Sequence, residues 1–224
     1  MENLAGKNIM ITSGPIRGYI DDVRYISNKS TGRLGSLLAT EAMKRGASVT
    51  FVYGMGSCIP DCTLPGKNNF DRLTLIEIET FDDLLITIKE KLKDKPFDTI
   101  FHAMAVLDYI TEKYTSGKIA SNKDTLTLTL VKTPKVIKLL RTLWPQALLV
   151  SFKLEAGISK EELIERAYAS LKENNADFVV ANNQDEIVGE KHRAYVINAR
   201  KEVEAQCETK YDIAVKVMDV LSRY

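Results

Sequence analysis

Between Asn28 and Gly35 the chain reads Asn-Lys-Ser-Thr-Gly-Arg-Leu-Gly, a run of amide, hydroxyl, cationic and glycine positions. An amide both donates and accepts, so Asn28 suits a polarised carbonyl and its attached oxygen, or a plain loop hydrogen bond. Ser30, Thr31 and Gly32 lie just before Leu34, Leu37, Leu38, Ala42 and Met43, which recur at helical spacing. They therefore sit at a helix amino end, where free N–H groups and the helix dipole favour an anion. The alternative is a capped helix start, with Ser30 or Thr31 as the cap. Arg24 seeks a phosphate or carboxylate, or else pairs with Asp21 or Asp22. Lys118, in Ser-Gly-Lys-Ile-Ala-Ser, is either a point charge for phosphates and for charge growing in a transition state, or a surface lysine.

Further along, Asp108 ends an apolar run and could meet a base, a ribose or a metal. Phe152 and Lys153 offer an aromatic wall and a cation, although Phe152 fits a core equally well. Asn182 and Asn183 follow Val-Val-Ala, and buried amides at a strand end must find partners, a nucleotide base among them. His102 and His192 have no nucleophile or acidic partner at a recognisable spacing, so no catalytic triad is read. Neither GxGxxG nor GxxxxGK[ST] occurs, and the lone Gly-Met-Gly after residue 53 is weak evidence, which counts against a nicotinamide-dependent oxidoreductase. Cys58, Cys62 and Cys207 form no disulfide framework, and the first two lack further ligands for zinc, so no metal ligands are assigned.

These residues need a scaffold. A chain of 224 residues with 45% hydrophobic and 27% charged content can bury a sizeable core. A net charge of +1 gives no whole-molecule attraction to nucleic acid or to an acidic membrane. No apolar run is long enough to span a membrane and residues 1–7 are too short and polar for a signal peptide, so the expected location is the cytoplasm. Apolar runs at 7–14, 48–54, 72–78, 97–106, 147–152, 176–182 and 193–199 read as strands, separated by helices from Leu34, from Asp82 to Lys91, after Pro134, from Ser159 to about Asn174, and from Lys210 to Tyr224. Ser159 with Glu162 forms the pattern of a capping box. The alternation of Thr and Leu from Thr125 predicts a half-buried strand. The expected architecture is one α/β domain over 1–224, a mostly parallel sheet flanked by helices, with a β excursion near Thr125 used in dimerisation. Ligands of such sheets lie beyond the carboxyl ends of the strands, where segments 14–32, 53–66, 107–121, 152–157 and the one after Val180 emerge. Residues 14–32 are far longer than the roughly two to six residues of a usual strand-to-helix turn.

Taken together and in order, the stretches Ile11–Gly35, Ala105–Tyr109, Gly117–Asn122, Ser151–Glu155 and Val179–Asn182 resemble the phosphopantothenate–cysteine ligase family, in its stand-alone form without a flavin-dependent decarboxylase. The resemblance runs over nearly the whole chain. It implies a Rossmann-like α/β fold and a coenzyme A biosynthetic ligase that activates the carboxylate of 4'-phosphopantothenate with ATP or CTP, accompanied by Mg2+ and no flavin. The acyl-nucleotidylate then passes to the amine of L-cysteine, in a homodimer. Residue by residue, Asn28 matches the asparagine that binds the acyl-nucleotidylate carbonyl, and Lys118 the lysine of the first half-reaction. Arg24 lies in the same signature loop. Ala105 and Val106 match backbone that holds phosphopantothenate, while Asp108, Phe152 and Asn182 match positions near the nucleotide. Gly14, Ser30, Thr31, Gly32 and Lys153 are expected on the substrate or nucleotide side. Two departures stand out: Pro15-Ile16 replaces a threonine-containing step, and Leu107 replaces a small residue. The alternatives are an NAD(P)-dependent oxidoreductase and a non-catalytic nucleotide-binding module on the same fold.

Overall fold

The computed structural model describes residues 3–64, 67–68, 70–122 and 124–224. Asn8–Ser13 forms β1. The long segment after it contains a hairpin, Arg17–Tyr19 (β2) paired antiparallel with Tyr25–Ser27 (β3). Helix α1 (Arg33–Lys44) follows, and Gly46 ends it with φ of 97°. Next come β4 (Ser48–Gly54), the two-residue strands β5 (Thr63–Leu64) and β6 (Lys67–Asn68), and β7 (Leu73–Ile78). Helix α2 (Phe81–Ile86) opens on a reciprocal capping box between Thr80 and Asp83, then runs into a wider π-helical stretch over Thr87–Leu92. The remainder is β8 (Thr99–His102), β9 (Tyr109–Thr111), β10 (Leu130–Lys132), α3 (Val136–Leu143), β11 (Leu148–Glu155), α4 (Lys160–Glu173), β12 (Phe178–Val188), β13 (Lys191–Asn198), β14 (Val203–Thr209) and α5 (Lys210–Leu221).

Eight strands form one sheet in the order β14-β13-β12-β11-β8-β1-β4-β7. From β12 to β7 all neighbours are parallel, and β13 and β14 add antiparallel strands at one edge. Counting the parallel strands by sequence gives 3-2-1-4-5-6, the doubly wound Rossmann order, as expected. Alternation along β1 divides the core. Met10 joins Leu84 of α2, Ile88 of the π-helical stretch after it, Leu140 of α3 and Leu163 of α4 on one face. Ile9 and Ile11 join Leu38 and Ala42 of α1 and Ile213 and Val217 of α5 on the other.

Four local expectations need correction. The Thr-Leu segment is strand only over Leu130–Lys132, where it pairs with β9, and its described residues are exposed rather than half-buried. It carries the right period, but no face among the described residues covers it. Strand β14 lay unread because Val203–Thr209 mixes Glu, Gln and Cys and sits at the sheet edge. At α4, Ser159 caps the Glu162 N–H, but the Glu162 carboxylate turns to Arg166, so only half of the capping box forms. Residues 152–155 and 181–188 are not loops, since they continue β11 and β12.

Candidate functional site

In a 3-2-1-4-5-6 sheet the strand order reverses between β1 and β8, which marks the ligand crevice. Chain leaves both strands there side by side. The N–H of Ala103 donates to Thr12 O at 3.0 Å, that of Ala105 donates to Gly14 O at 2.9 Å, and Pro15 and Ala105 extend the parallel pairing. Asn28, at the end of the hairpin, bridges onto this point: its Nδ2 donates to Ala105 O at 3.0 Å and to Val106 O at 3.3 Å. The sequence brings Asn28, Ala105 and Val106 from 77 and 78 positions apart. The two departures have a packing reason. Ile16 is wholly buried in the core beneath α2 to α4, and Leu107 is buried in that same core, so both pin the site loops from below.

The mouth of α1 is packed backbone to backbone. Gly14 and Gly32 both adopt positive φ, 78° and 74°, which glycine alone takes without strain. A Cβ on Gly35 would lie 2.2 Å from Ser13 Oγ, so helix and strand meet more closely than any side chain allows. The Ser13 hydroxyl donates to Gly32 O at 3.0 Å. The expectation that Ser30 or Thr31 caps α1 is not met. Gly32 is the cap residue, no side chain caps the helix, and no acidic residue lies in its first turn. Gly32 and Arg33 N–H reach the Ser30 and Thr31 hydroxyls only at 3.4 and 3.5 Å. The positive end of the helix dipole is thus met by no capping or first-turn acidic side chain.

Arg24 lies on the hairpin and pairs with Asp21 at 3.3 Å, while its second nitrogen donates to Ile119 O at 3.4 Å. Asp21 is fully buried. Burial alone would raise its carboxyl, but backbone N–H donors from Val23, Ile119 and Arg24, with the Arg24 charge, outweigh it and hold the group below its ordinary value. Ile119 N–H donates to Asp21 Oδ2 at 3.1 Å, which brings Lys118 beside the hairpin with its own side chain exposed. No hydrogen bond or ion pair of Lys118 exists among the described residues.

The remaining candidates are placed elsewhere. Asp108 is exposed and pairs with Lys135 at 2.7 Å, while its carbonyl accepts from Thr133 N–H at 2.9 Å. Phe152, partly buried, packs against the α1/α5 core. Lys153 pairs with Glu155 at 3.1 Å, and Glu155 also holds Arg166 at 3.2 Å. Lys153 is therefore engaged, not a free cation. Asn182 is buried against His192, amide to Nε2 at 3.2 Å. Asn183 donates to Ile158 O at 2.8 Å. No hydrogen bond or ion pair among the described residues joins Phe152, Lys153 or Asn182 to Asn28. Burial, with nearby Lys210, pushes His192 down to about 4, and burial does the same for His102, which bonds Thr12 through Nδ1 at 2.7 Å. Both imidazoles are neutral at neutral pH. The described residues contain no group of three or more His, Cys, Asp or Glu side chains set to hold a metal. No helix among them is long and apolar enough to cross a membrane. Sequence reasoning undervalued Asp21, which it weighed only as a partner for Arg24. An Asp two and three residues before loop N–H groups is the pattern of an Asx turn, and that was the available signal.

Comparison with known proteins fits this geometry. The coenzyme A biosynthesis bifunctional protein CoaBC of Thermococcus kodakarensis is 34% identical over 222 residues, covering 99% of this chain and 52% of that protein. That of Borreliella burgdorferi is 31% identical over 221 residues, covering 97% of this chain and 53% of its own length. The chain thus spans about half the length of the curated relatives it matches. A crystal structure described as the DNA/pantothenate metabolism flavoprotein from Streptococcus pneumoniae superposes with a TM-score of 0.85 at 29% identity, covering 98% of this chain and all of that one. The model of the DNA/pantothenate metabolism flavoprotein C-terminal domain matches residues 4–224. With its switch-point crevice, its glycine-packed helix mouth and a family match over nearly its full length, the chain belongs to the DNA/pantothenate metabolism flavoprotein C-terminal domain family.

Proposed function

We propose that the chain is a phosphopantothenate–cysteine ligase acting in coenzyme A biosynthesis. The observation that carries the reading is the Asn28 amide laid across the Ala105 and Val106 carbonyls at the β1/β8 switch point. An Nδ2 with two hydrogens, held by one carbonyl, can turn the other toward a substrate acyl oxygen. The 3.3 Å contact to Val106 is the one that oxygen would displace. In the first half-reaction the phosphopantothenate carboxylate attacks the α-phosphate of ATP or CTP, and pyrophosphate leaves. The amino end of α1 receives phosphate oxygens, Lys118 offsets charge on the reacting phosphate, and Arg24 supplies further positive charge. Magnesium enters with the triphosphate as part of the cosubstrate. In the second half-reaction the cysteine amine attacks the acyl carbon, the nucleotide monophosphate leaves, and the amide forms. The work is positioning and charge stabilisation, which needs no enzyme nucleophile.

The reading extends to a homodimer. Each two-stranded ribbon, β2–β3 and β9–β10, is marginal alone, and together they expose Val23, Tyr25, Tyr109, Leu130 and Val131, with Leu126 and Leu128 just before β10. A second copy laid on these ribbons covers that apolar surface, the exposed Thr-Leu segment included. The test of function is pyrophosphate release with ATP and with CTP, each with phosphopantothenate, with and without cysteine. Release should require phosphopantothenate, and amide should appear only with cysteine. Hydride transfer to a nicotinamide, or no phosphopantothenate-dependent release with either nucleotide, would refute the reading.

A further inference from the structure

Two loops meet outside the switch point, and one buried carboxylate joins them. Asp21 Oδ1 accepts from Val23 N–H at 2.9 Å and from Arg24 N–H at 2.7 Å, which fixes the tip of the β2–β3 hairpin. Asp21 Oδ2 accepts from Ile119 N–H at 3.1 Å and from Arg24 Nη1 at 3.3 Å. Oδ1 thus serves the hairpin alone, while Oδ2 joins the loop of Lys118 to the hairpin's Arg24. Around this centre the contact is continued by Thr115 N–H to Ile20 O at 3.1 Å, Asp22 N–H to Gly117 O at 3.2 Å and Gly117 N–H to Asp22 Oδ2 at 2.8 Å. Tyr114 also hydrogen-bonds Asp22. The other bonds involve solvent-facing groups, whereas Asp21 has no exposed surface. A charge so placed is held only by its donors, and removing it leaves those donors orphaned.

We propose that Asp21 is a positioning residue: its carboxylate locks the Lys118 loop onto the hairpin bearing Arg24 and Asn28, so that the groups acting on phosphate and acyl carbon share one rigid frame. The inference rests on the ligase reading above and assigns Asp21 no contact with substrate. It explains why a charged residue is kept in a dry position where nothing reacts. It also explains why Arg24 spends one nitrogen on Asp21 and another on Ile119 O, since the guanidinium closes the same joint from outside.

Asp21→Asn is the direct test. Its remaining oxygen can serve Val23 and Arg24, but its amide group faces the Ile119 N–H and the Arg24 guanidinium, donor against donor. Amide exchange at Ile119 should quicken by roughly 10- to 100-fold, the factor set by a charge-assisted hydrogen bond. Gly117, still held by Asp22, and the amides of β1 and β8 should keep their protection. In pyrophosphate release kcat should fall by about the same factor while KM for phosphopantothenate changes by less than about threefold, because the loss is one of alignment. Ile119→Pro, which removes the N–H and leaves Asp21 in place, should reproduce the kcat loss, and it carries the test if Asp21→Asn fails to fold. Asp21→Glu, which retains the charge, should recover part of the rate. Unchanged exchange at Ile119, unchanged kcat, or loss of protection across the whole sheet in step with activity would each overturn the proposal. A wild-type protein without phosphopantothenate-dependent release would refute the ligase reading instead, and the exchange experiment would still read the lock by itself.

Discussion

Replacing Gly35 by alanine should destabilise this protein even though alanine is the better helix former. Gly35 lies in the first turn of α1, where the substitution gains up to about 1 kcal/mol from helix propensity. Against this, the new Cβ would lie 2.2 Å from Ser13 Oγ and 2.5 Å from Ser13 Cβ. A rotation of the serine could relieve the first contact but not the second, so α1 must draw back from β1. Overpacking of that kind costs about 1–3 kcal/mol. The movement also breaks the Ser13 Oγ to Gly32 O hydrogen bond, about 1 kcal/mol. The net expectation is a loss of about 1–3 kcal/mol, read as a lower urea midpoint at unchanged slope. The decisive comparison is Ser13→Gly, which removes both clashing atoms and leaves Ser13 Cα at 3.5 Å as the nearest strand atom. In that background Gly35→Ala should be neutral or stabilising. A raised midpoint for Gly35→Ala alone, or an equal cost in both backgrounds, would refute the close-approach argument.

Asn28→Asp places a carboxylate against the Ala105 and Val106 carbonyls and should abolish amide formation, because it also repels the acyl-phosphate; full turnover in a coupled amide assay would count against the assigned role. Lys118→Gln should cut pyrophosphate release itself by about a hundredfold or more while leaving the urea midpoint unchanged, since the side chain is exposed; normal release would remove Lys118 from the mechanism. Acidification should unfold the protein partly through His192. Its folded value is about 4, below the ordinary 6.5, so the unfolded chain binds the extra proton, and stability falls as pH drops from about 6.5 toward 4. At pH 5 that loss is on the order of 2 kcal/mol, and His192→Gln should flatten the slope of urea midpoint against pH over this range.

Much of this was legible from residue types. The strand runs and helix faces were enough for one α/β domain with a mostly parallel sheet and its ligands beyond the strand ends, while the Rossmann-like arrangement came with the family resemblance. Lys210 to Tyr224 and Lys160 to Glu173 declared themselves through clean apolar spacing. What could not be read were pairings that depend on a partner far along the chain. Strand β14 has a mixed composition that makes sense only beside β13. The Thr-Leu run shows strand period with no way of telling whether this chain or another covers it. In the site, Asn28 was recognised by type and context, but nothing in its neighbourhood announces Ala105 as its anchor. Lys153 shows the reverse: a cation at a promising strand end whose charge is taken up by Glu155 two residues on. Asp21 was the costliest underestimate, weighed as a partner for Arg24 with nothing to choose it over Asp22, until the structure buries one and exposes the other.

Ile16 and Leu107 carry a consequence beyond packing. Each is driven into the apolar core beneath α2, α3 and α4, and each lies within two residues of chain that forms the crevice floor, Gly14 and Ala105. The two stretches of that floor, Gly14–Ile16 and Ala105–Leu107, are therefore not appendages that open on their own schedule. They share the cooperative unit of the sheet, and their local opening carries a free energy near that of global unfolding. As denaturant rises, catalytic competence and native structure should disappear in a single transition.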